Sequence, residues 1–373
     1  MSDEAKDEEL SAFEAAIKNN LAPIYHLLED DSISEVLING PSEIFVETGG
    51  KMIATDAEFP DEDALRAAVN AIAQSVNRRI SDEEPRLDAR LPDGSRIHAV
   101  LPPMSRKGTT VAIRKFFKSD MTFKKYVQLG AITVDGANFL DACMRLGKNV
   151  LVSGGTGSGK TTLLGLLTSR IPAGQRLIVI EDSTELKVDY EHVVFFETRM
   201  ADDTGTTEVS IRHLVISSLR LRPDRIIVGE VRGSEALELI QAMNTGHKGC
   251  MGTVHANAAS ESLTRLQALA QGGDAKVSET ALVMQISSAV DVIVQVSRYS
   301  DGSRRIASIT EVTGLDEKGR YKYMDVFRMS RMTKRPDGSL DGILEPVNEP
   351  TFMSEIEDNQ IPVPRSLFKK KAA

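Results

Sequence analysis

The 373-residue sequence predicts an α/β protein of two domains, a small α+β domain followed by a larger one built on a mostly parallel sheet. Three observations predict it. The length exceeds what a single hydrophobic core supports in most proteins. Before residue 118 short strand signals flank one helical stretch. From Asn149 onward, strand-length apolar runs (NVLVSG, RLIVIED, RIIVGE) alternate with helix-like segments, the pattern of a parallel sheet covered on both faces.

Taken in order, Leu10, Phe13, Ile17, Leu21, Ile24 and Leu28 recur at helical spacing, so Glu8 to Glu29 predicts an amphipathic helix behind an acidic tail. Ser34 to Asn39, Glu43 to Thr48 and a segment near Met52 read as strands separated by Asn39-Gly40-Pro41 and Gly49-Gly50. Asp61 to Asn77 reads as a helix with Leu65, Ala68, Val69 and Ile72 on one face. Arg86 to Leu91, Ser95 to Leu101 and Thr109 to Phe116 read as three more strands, the first two joined by Pro92-Asp93-Gly94. The expected organisation is a tail and helix over 1–30, the α+β domain over 31–118, a linker and lead-in helix over 119–148, the larger domain over 149–350 and a polar tail over 351–373.

Composition narrows the class. Apolar residues make up 41% and charged residues 27%, ordinary for a soluble globular chain. No run approaches the roughly 18 apolar residues of a membrane span, and the opening MSDEAKDEEL lacks the features of a secretory signal, so a cytoplasmic protein is expected. Residues 1–63 hold 17 acidic residues against three lysines, whereas the remainder holds 42 basic against 37 acidic residues. That acidic lead disfavours nucleic acid as a direct partner. Cys143 and Cys250 lie in no CxxC pair and form neither a disulfide framework nor a zinc site.

The chemistry concentrates in four places. Gly154 to Thr161 fits G-x-x-x-x-G-K-[ST], directly after a predicted strand and opening a helix, the context that a phosphate-binding loop requires. Gly155, Thr156, Gly157, Ser158, Gly159, Lys160, Thr161 and Thr162 are thus the candidate ATP-binding residues, Lys160 reaching the β- and γ-phosphates and Thr161 ligating Mg²⁺. Glu230 ends the strand RIIVGE, where α/β sheets bind ligands. With Gly229 at the usual aspartate position, Glu230 either joins the Mg²⁺ shell or polarises the attacking water. Glu181 and Asp182 end RLIVIED and bring carboxylates to the same edge, making Thr161, Glu230 and Asp182 the candidate metal set. His255 ends a further apolar strand, GCMGTVH, and could meet the γ-phosphate or Glu230. Arginines form the fourth group: Arg90, Arg96 and Arg114 in the first domain, and Arg199, Arg220, Arg222 and Arg232 in the second.

These segments carry a resemblance. GGTGSGKTT, IEDSTEL, LRLRPDRIIVGEVRG and AMNTGHKGCMGTVHAN, in this order, resemble the Walker A, Asp box, atypical Walker B and His box of the type II/type IV secretion ATPase superfamily. ISEVLING, IFVETGGK, LDARLPDGSRIHAVLPP and VAIRKF are similar to the tight-adherence (Tad/Flp) pilus motors of the CpaF type. The resemblance implies a PAS-like first domain, a RecA-like second domain and a homo-hexamer with ATP held between domains. It also implies peripheral attachment to the inner membrane through platform proteins of a pilus machine. Lys160, Thr161, Glu181, Glu230 and His255 would be its active site, with Arg90, Arg96 and Arg114 facing it. The tetracysteine zinc insert of many type II secretion and type IV pilus assembly ATPases is missing, which disfavours that branch, and the region before the first domain is short for a Tad motor.

Two other functions fit parts of the pattern. One is a type IV secretion ATPase moving protein or DNA. The other is a scaffold that binds ATP without turnover, against which Glu181 and Glu230 together argue.

Overall fold

The computed structural model describes residues 19–369 apart from 77, 92–93, 117–120, 200–205 and 274–276. The acidic lead to residue 18, the Pro92-Asp93 turn, the end of the first domain at 117–118 and the last residues of the C-terminal tail lie outside the described residues. The chain divides into two compact units, Met1–Lys118 and Ser119–Ala373.

In the first unit the helix expected through Glu29 is interrupted. Asn19 and Asn20 are helical, Ala22–Ile24 form a single 3₁₀ turn, and Tyr25–Glu29 (α1) is α-helical again. Pro23, in that turn, lacks the N–H that a continuous helix needs. The strands β1 (Ile33–Asn39), β2 (Ile44–Thr48) and β3 (Lys51–Ala54) precede α2 (Glu62–Ser75), and β4 (Arg86–Arg90), β5 (Arg96–Val100) and β6 (Thr110–Arg114) follow it. They form one antiparallel sheet in the order β3-β2-β1-β6-β5-β4. Asp61 caps α2 by accepting from the Ala64 amide at 2.8 Å. Leu65, Ala68, Val69 and Ile72 then pack against Val36, Ile38, Ile97 and Ile113. This gives the sheet a buried face and a polar one.

The second unit opens with α3 (Phe123–Gln128) and α4 (Val134–Leu146), followed by β7 (Val150–Gly154), α5 (Lys160–Thr168), β8 (Leu177–Glu181) and β9 (Val193–Glu197). Next come α6 (Ile211–Ser218), β10 (Arg225–Val228), α7 (Glu235–Asn244), β11 (Met251–His255), α8 (Ala259–Gln271) and α9 (Glu279–Ala289). The last elements are β12 (Val292–Arg298), β13 (Arg304–Leu315), β14 (Tyr321–Met329), β15 (Thr333–Lys334), β16 (Leu340–Asp341), β17 (Leu344–Pro346) and α10 (Met353–Asp358). Among the described residues, β15 and β16 pair only with each other. Nine strands form one sheet in the order β17-β14-β13-β12-β7-β11-β10-β8-β9. The run from β12 to β9 is parallel, and β13, β14 and β17 add to it antiparallel. The strands β7, β8 and β10 are buried along their whole length, as expected of apolar strands covered on both faces, and Ser153, Glu181 and Arg225 at or near their ends are buried with them.

Each face of this sheet carries its own core. On one, Phe139, Leu140, Leu163, Leu167 and Ile356 cover Val150, Val152 and Val294; on the other, Val215, Leu239, Leu266 and Ile286 cover Leu151, Ile226 and Ile293. The first core corrects two expectations. The expected lead-in helix is present as α4, but the stretch before it is not a linker, because Phe123–Gln128 is helical and Phe123 and Tyr126 are buried in the core that Phe139, Leu140, Cys143 and Met144 of α4 enter. Nor is the end of the chain a polar tail: Phe352, Met353, Ile356, Val363 and Phe368 return to the same core, and the Phe139 ring lies 5.4 Å from Phe327, 5.9 Å from Phe352 and 6.3 Å from Phe368. Among the described residues, no helix is long and apolar enough to cross a membrane.

Candidate active site

The glycine-rich loop joins the buried end of β7 to the first turn of α5. Gly157 and Gly159 have φ of +67° and +94°, a left-handed conformation that side chains resist. Gly154 is required for a different reason, since a Cβ there would stand 2.5 Å from both Ser158 Oγ and Val296 O. Ser158 Oγ donates to Gly155 O at 2.9 Å and closes the loop on itself. The N-terminus of α5 carries no side-chain cap hydrogen bond, and the first-turn amides of an α-helix have no acceptor within the helix itself. Lys160 Nζ donates to Gly154 O and Gly155 O, each at 3.0 Å. An ammonium, glycine backbone and an uncapped helix end converge at the mouth of the loop, which suits phosphate.

Parallel pairing brings the remaining candidates to the same edge. His255 is the register partner of Gly154 on β11, and Val228 that of Ile180 on β8, which sets Gly229 and Glu230 beside Glu181 and Asp182. Glu181 is buried, and its Oε1 accepts from the Glu185 and Leu186 amides, both at 2.9 Å. Burial pushes its carboxyl above the ordinary value, against the pull of those two amides and with smaller upward contributions from the charges of Glu185 and Glu197. Glu230 is half-buried and pairs with the Arg232 guanidinium, which also reaches Asp182 Oδ2 at 3.2 Å. The hydrogen bond to Glu230 raises the pKa of Arg232 further, burial opposing it. Glu235 Oε1 accepts from the Arg232 and Gly233 amides at 2.6 and 2.8 Å, and Thr253 Oγ1 donates to Gly229 O at 2.7 Å. The turn after Glu230 is therefore held at both ends. Thr161 Oγ1 lies 3.5 Å from Glu185 Oε2, and the His255 side chain is exposed.

Thr161, Asp182, Glu185 and Glu230 are hard oxygen donors of the kind Mg²⁺ takes. Among the described residues no group of three or more His, Cys, Asp or Glu side chains could hold a metal unaided.

In the first unit, Arg90 is opposite Arg96, Arg96 opposite Arg114 and Arg114 opposite Glu35. The three arginines selected from the sequence are thus register partners across β4, β5 and β6, and Arg96 and Arg114 lie on the face away from the α2 core. Arg114 Nε stands 3.8 Å from Glu35 Oε1. Of the second-unit arginines, Arg232 belongs to the site; Arg199 holds a local bridge to Thr207 O, and Arg222 takes φ +55° after α6.

A family model described as "Type II/IV secretion system protein" matches residues 18–332. The chain belongs to this family. Over 312 residues it is 36% identical to a putative conjugal transfer protein of Mycobacterium tuberculosis (strain ATCC 25618 / H37Rv), covering 82% of this chain and 87% of that one. It is also 32% identical over 337 residues to the type IV secretion system protein VirB11 of Bartonella quintana (strain Toulouse), covering 79% and 92%. The X-ray structure of the Legionella pneumophila ATPase DotB superposes with a TM-score of 0.56 at 18% identity, over 80% of this chain and 81% of that one. At that identity the likeness shows the fold.

Within this type II/IV secretion system protein, Glu185 was not anticipated from sequence. It stands four residues beyond Glu181 in a loop with no periodicity, and only the folding of that loop onto the Glu181 carboxylate brings it to Thr161. Arg298 and Arg304, which the structure places beside the glycine-rich loop, were not singled out from sequence either. The signal available was a basic hairpin, Ser297 to Arg305 around Asp301-Gly302.

Proposed function

We propose that this protein is a Mg²⁺-dependent ATPase that works as a homo-hexamer, peripheral to the inner membrane, and drives assembly or retraction of a Tad-type pilus through membrane platform proteins. The observation that carries the ATPase reading is the meeting of Lys160 and the uncapped α5 terminus with Glu181 and Glu230 at one strand edge. On this reading Lys160 exchanges the Gly154 and Gly155 carbonyls for phosphate oxygens, a stronger charge-assisted contact. Glu230, aimed by Arg232, orients the water for in-line attack, while Glu181 fixes the loop that carries Glu185. Thr161, with Asp182 and Glu230, would hold the Mg²⁺ shell, which neutralises charge developing on the phosphates. His255, beside Gly154, reports the phosphate state to α8. The PAS-like first domain contributes Arg90, Arg96 and Arg114 to phosphate, and the RecA-like second domain the rest.

The pilus assignment draws on the phrases ISEVLING, LDARLPDGSRIHAVLPP and VAIRKF. A second reading, a traffic ATPase for protein or DNA, is favoured by the conjugal-transfer and type IV secretion names of relatives at 32–36% identity. Phosphate release by the purified full-length chain, with sedimentation to read the ring, tests the ATPase. A scaffold without turnover would bind ATP and release none. Deleting the gene in its host separates the machines: loss of surface pili supports the first reading, and loss of substrate transfer with pili intact supports the second.

A further inference from the structure

β12 lies against β7 on the side opposite β11, with Val296 the register partner of Gly154. Two residues beyond Val296, Arg298 ends the strand, and the tight turn that follows returns the chain to Arg304, the cross-strand partner of Arg298. The turn is held by Tyr299 N donating to Ser303 O at 2.8 Å and by Asp301 Oδ1 accepting from the Ser303 amide at 3.0 Å. Both arginines lie against the phosphate loop. A Cβ on Gly157 would stand 3.5 Å from an Arg298 guanidinium nitrogen, and one on Gly159 3.6 Å from Arg304 Cδ. Arg298 and Arg304 are exposed. Arg305 behaves differently: it is turned to the other side, donates to Leu340 O at 2.6 Å and lies 3.7 Å from Asp301 Oδ2.

The strand order gives the ligand a direction. Glu181 and Glu230, which act at the γ-phosphate, end β8 and follow β10, on the β11 side of β7. A nucleotide whose terminal phosphate points to them extends its other end across the loop towards β12 and β13. We propose that Arg298 and Arg304 are nucleotide-binding residues that clamp the α-phosphate and ribose end of ATP and ADP. The planar guanidinium suits this task, giving paired donors to phosphate oxygens and an apolar stem that packs on the glycines. The assignment rests on the ATP-site reading above.

Calorimetric titration of the full-length chain with ADP and with a non-hydrolysable ATP analogue tests it. Arg298→Ala and Arg304→Ala should each weaken both ligands by the same factor, on the order of 10-fold, the loss expected for one charge-assisted contact. Lys at either position should recover part of the loss, and Met, which keeps the stem without the charge, should recover none. A match of the variants' melting temperatures to the wild type separates lost contact from lost fold. ADP binding within twofold of wild type in both alanine variants overturns the proposal. So does weakening confined to the ATP analogue, which would place the arginines at the γ-phosphate, or full recovery by Met, which would make them props for the loop. A wild-type chain that binds neither nucleotide overturns the ATP-site reading itself, an outcome distinct from normal binding that the substitutions leave untouched.

Discussion

Gly229, just past the end of β10, and Glu181, at the end of the adjoining β8, sit so close that a Cβ on Gly229 would stand 2.8 Å from Glu181 Cγ. The missing side chain at the end of β10 is what gives the buried carboxylate its place, and Glu181 in turn holds the Glu185 and Leu186 amides. Gly229→Ala should therefore displace Glu181. We expect a stability loss of about 1–3 kcal/mol from overpacking, read by urea denaturation, together with at least a tenfold fall in kcat. Wild-type turnover with wild-type stability would show that the close approach has no consequence.

Lys160→Ala should abolish phosphate release, because the γ-phosphate loses its cationic partner. Glu230→Gln should leave nucleotide affinity within a few-fold of wild type while stopping turnover, since the amide keeps the shape but lacks the negative charge that orients water. Normal turnover by Glu230→Gln with a dead Glu181→Gln would transfer the water-orienting role to Glu181.

The Glu181 carboxyl also predicts a pH dependence of stability. Its folded pKa is raised, chiefly by burial. A carboxyl of this kind contributes stability that is complete below its unfolded pKa and disappears as pH rises through the folded value. In Glu181→Gln that loss is absent. The unfolding free energy of wild type minus variant should then fall as pH is raised from about 4 to about 8. Denaturant melts across this range would contradict the assignment if the difference grew with pH.

The row Arg90, Arg96 and Arg114 makes a prediction about the proposed ring. If the row meets phosphate, single alanine substitutions should reduce hydrolysis unequally, the largest loss marking the residue nearest phosphate. Mixing Lys160→Ala subunits into wild-type rings should lower activity by more than dilution. Strictly linear dilution, or full-rate hydrolysis by a chain lacking residues 1–120, would mean that subunits work alone.

Phe139 packs among Phe327, Phe352 and Phe368. Phe139→Ala should cost about 3–5 kcal/mol, and Phe368→Ala should destabilise through the same core despite its place near the end of the chain. A Phe368→Ala protein that melts like wild type would show that the C-terminal segment is not part of that core.

By itself the sequence determined whatever a single contiguous stretch encodes. The proposed phosphate loop is legible because phosphate binding of this kind needs a strand, glycines, a lysine and a helix start in immediate succession, and Gly154 to Thr162 supply them in that order. Glu181, Glu230 and His255 are legible because each ends a short apolar run, where a strand must stop and a polar side chain must emerge. The strand and helix alternation shows for the same reason, since burial on two faces leaves a continuous apolar signature. Only the tertiary structure decided which strands are neighbours. Val296 lies beside Gly154, and so brings Arg298 and Arg304 to the loop, through pairing between residues 142 apart in the chain; no local period records such a pairing. The arginine row, the Arg232 bridge from Glu230 to Asp182, and the burial of residues 123–146 and 352–368 were decided in the same way. Their energies come from cross-strand and packing contacts that exist only once distant segments have met.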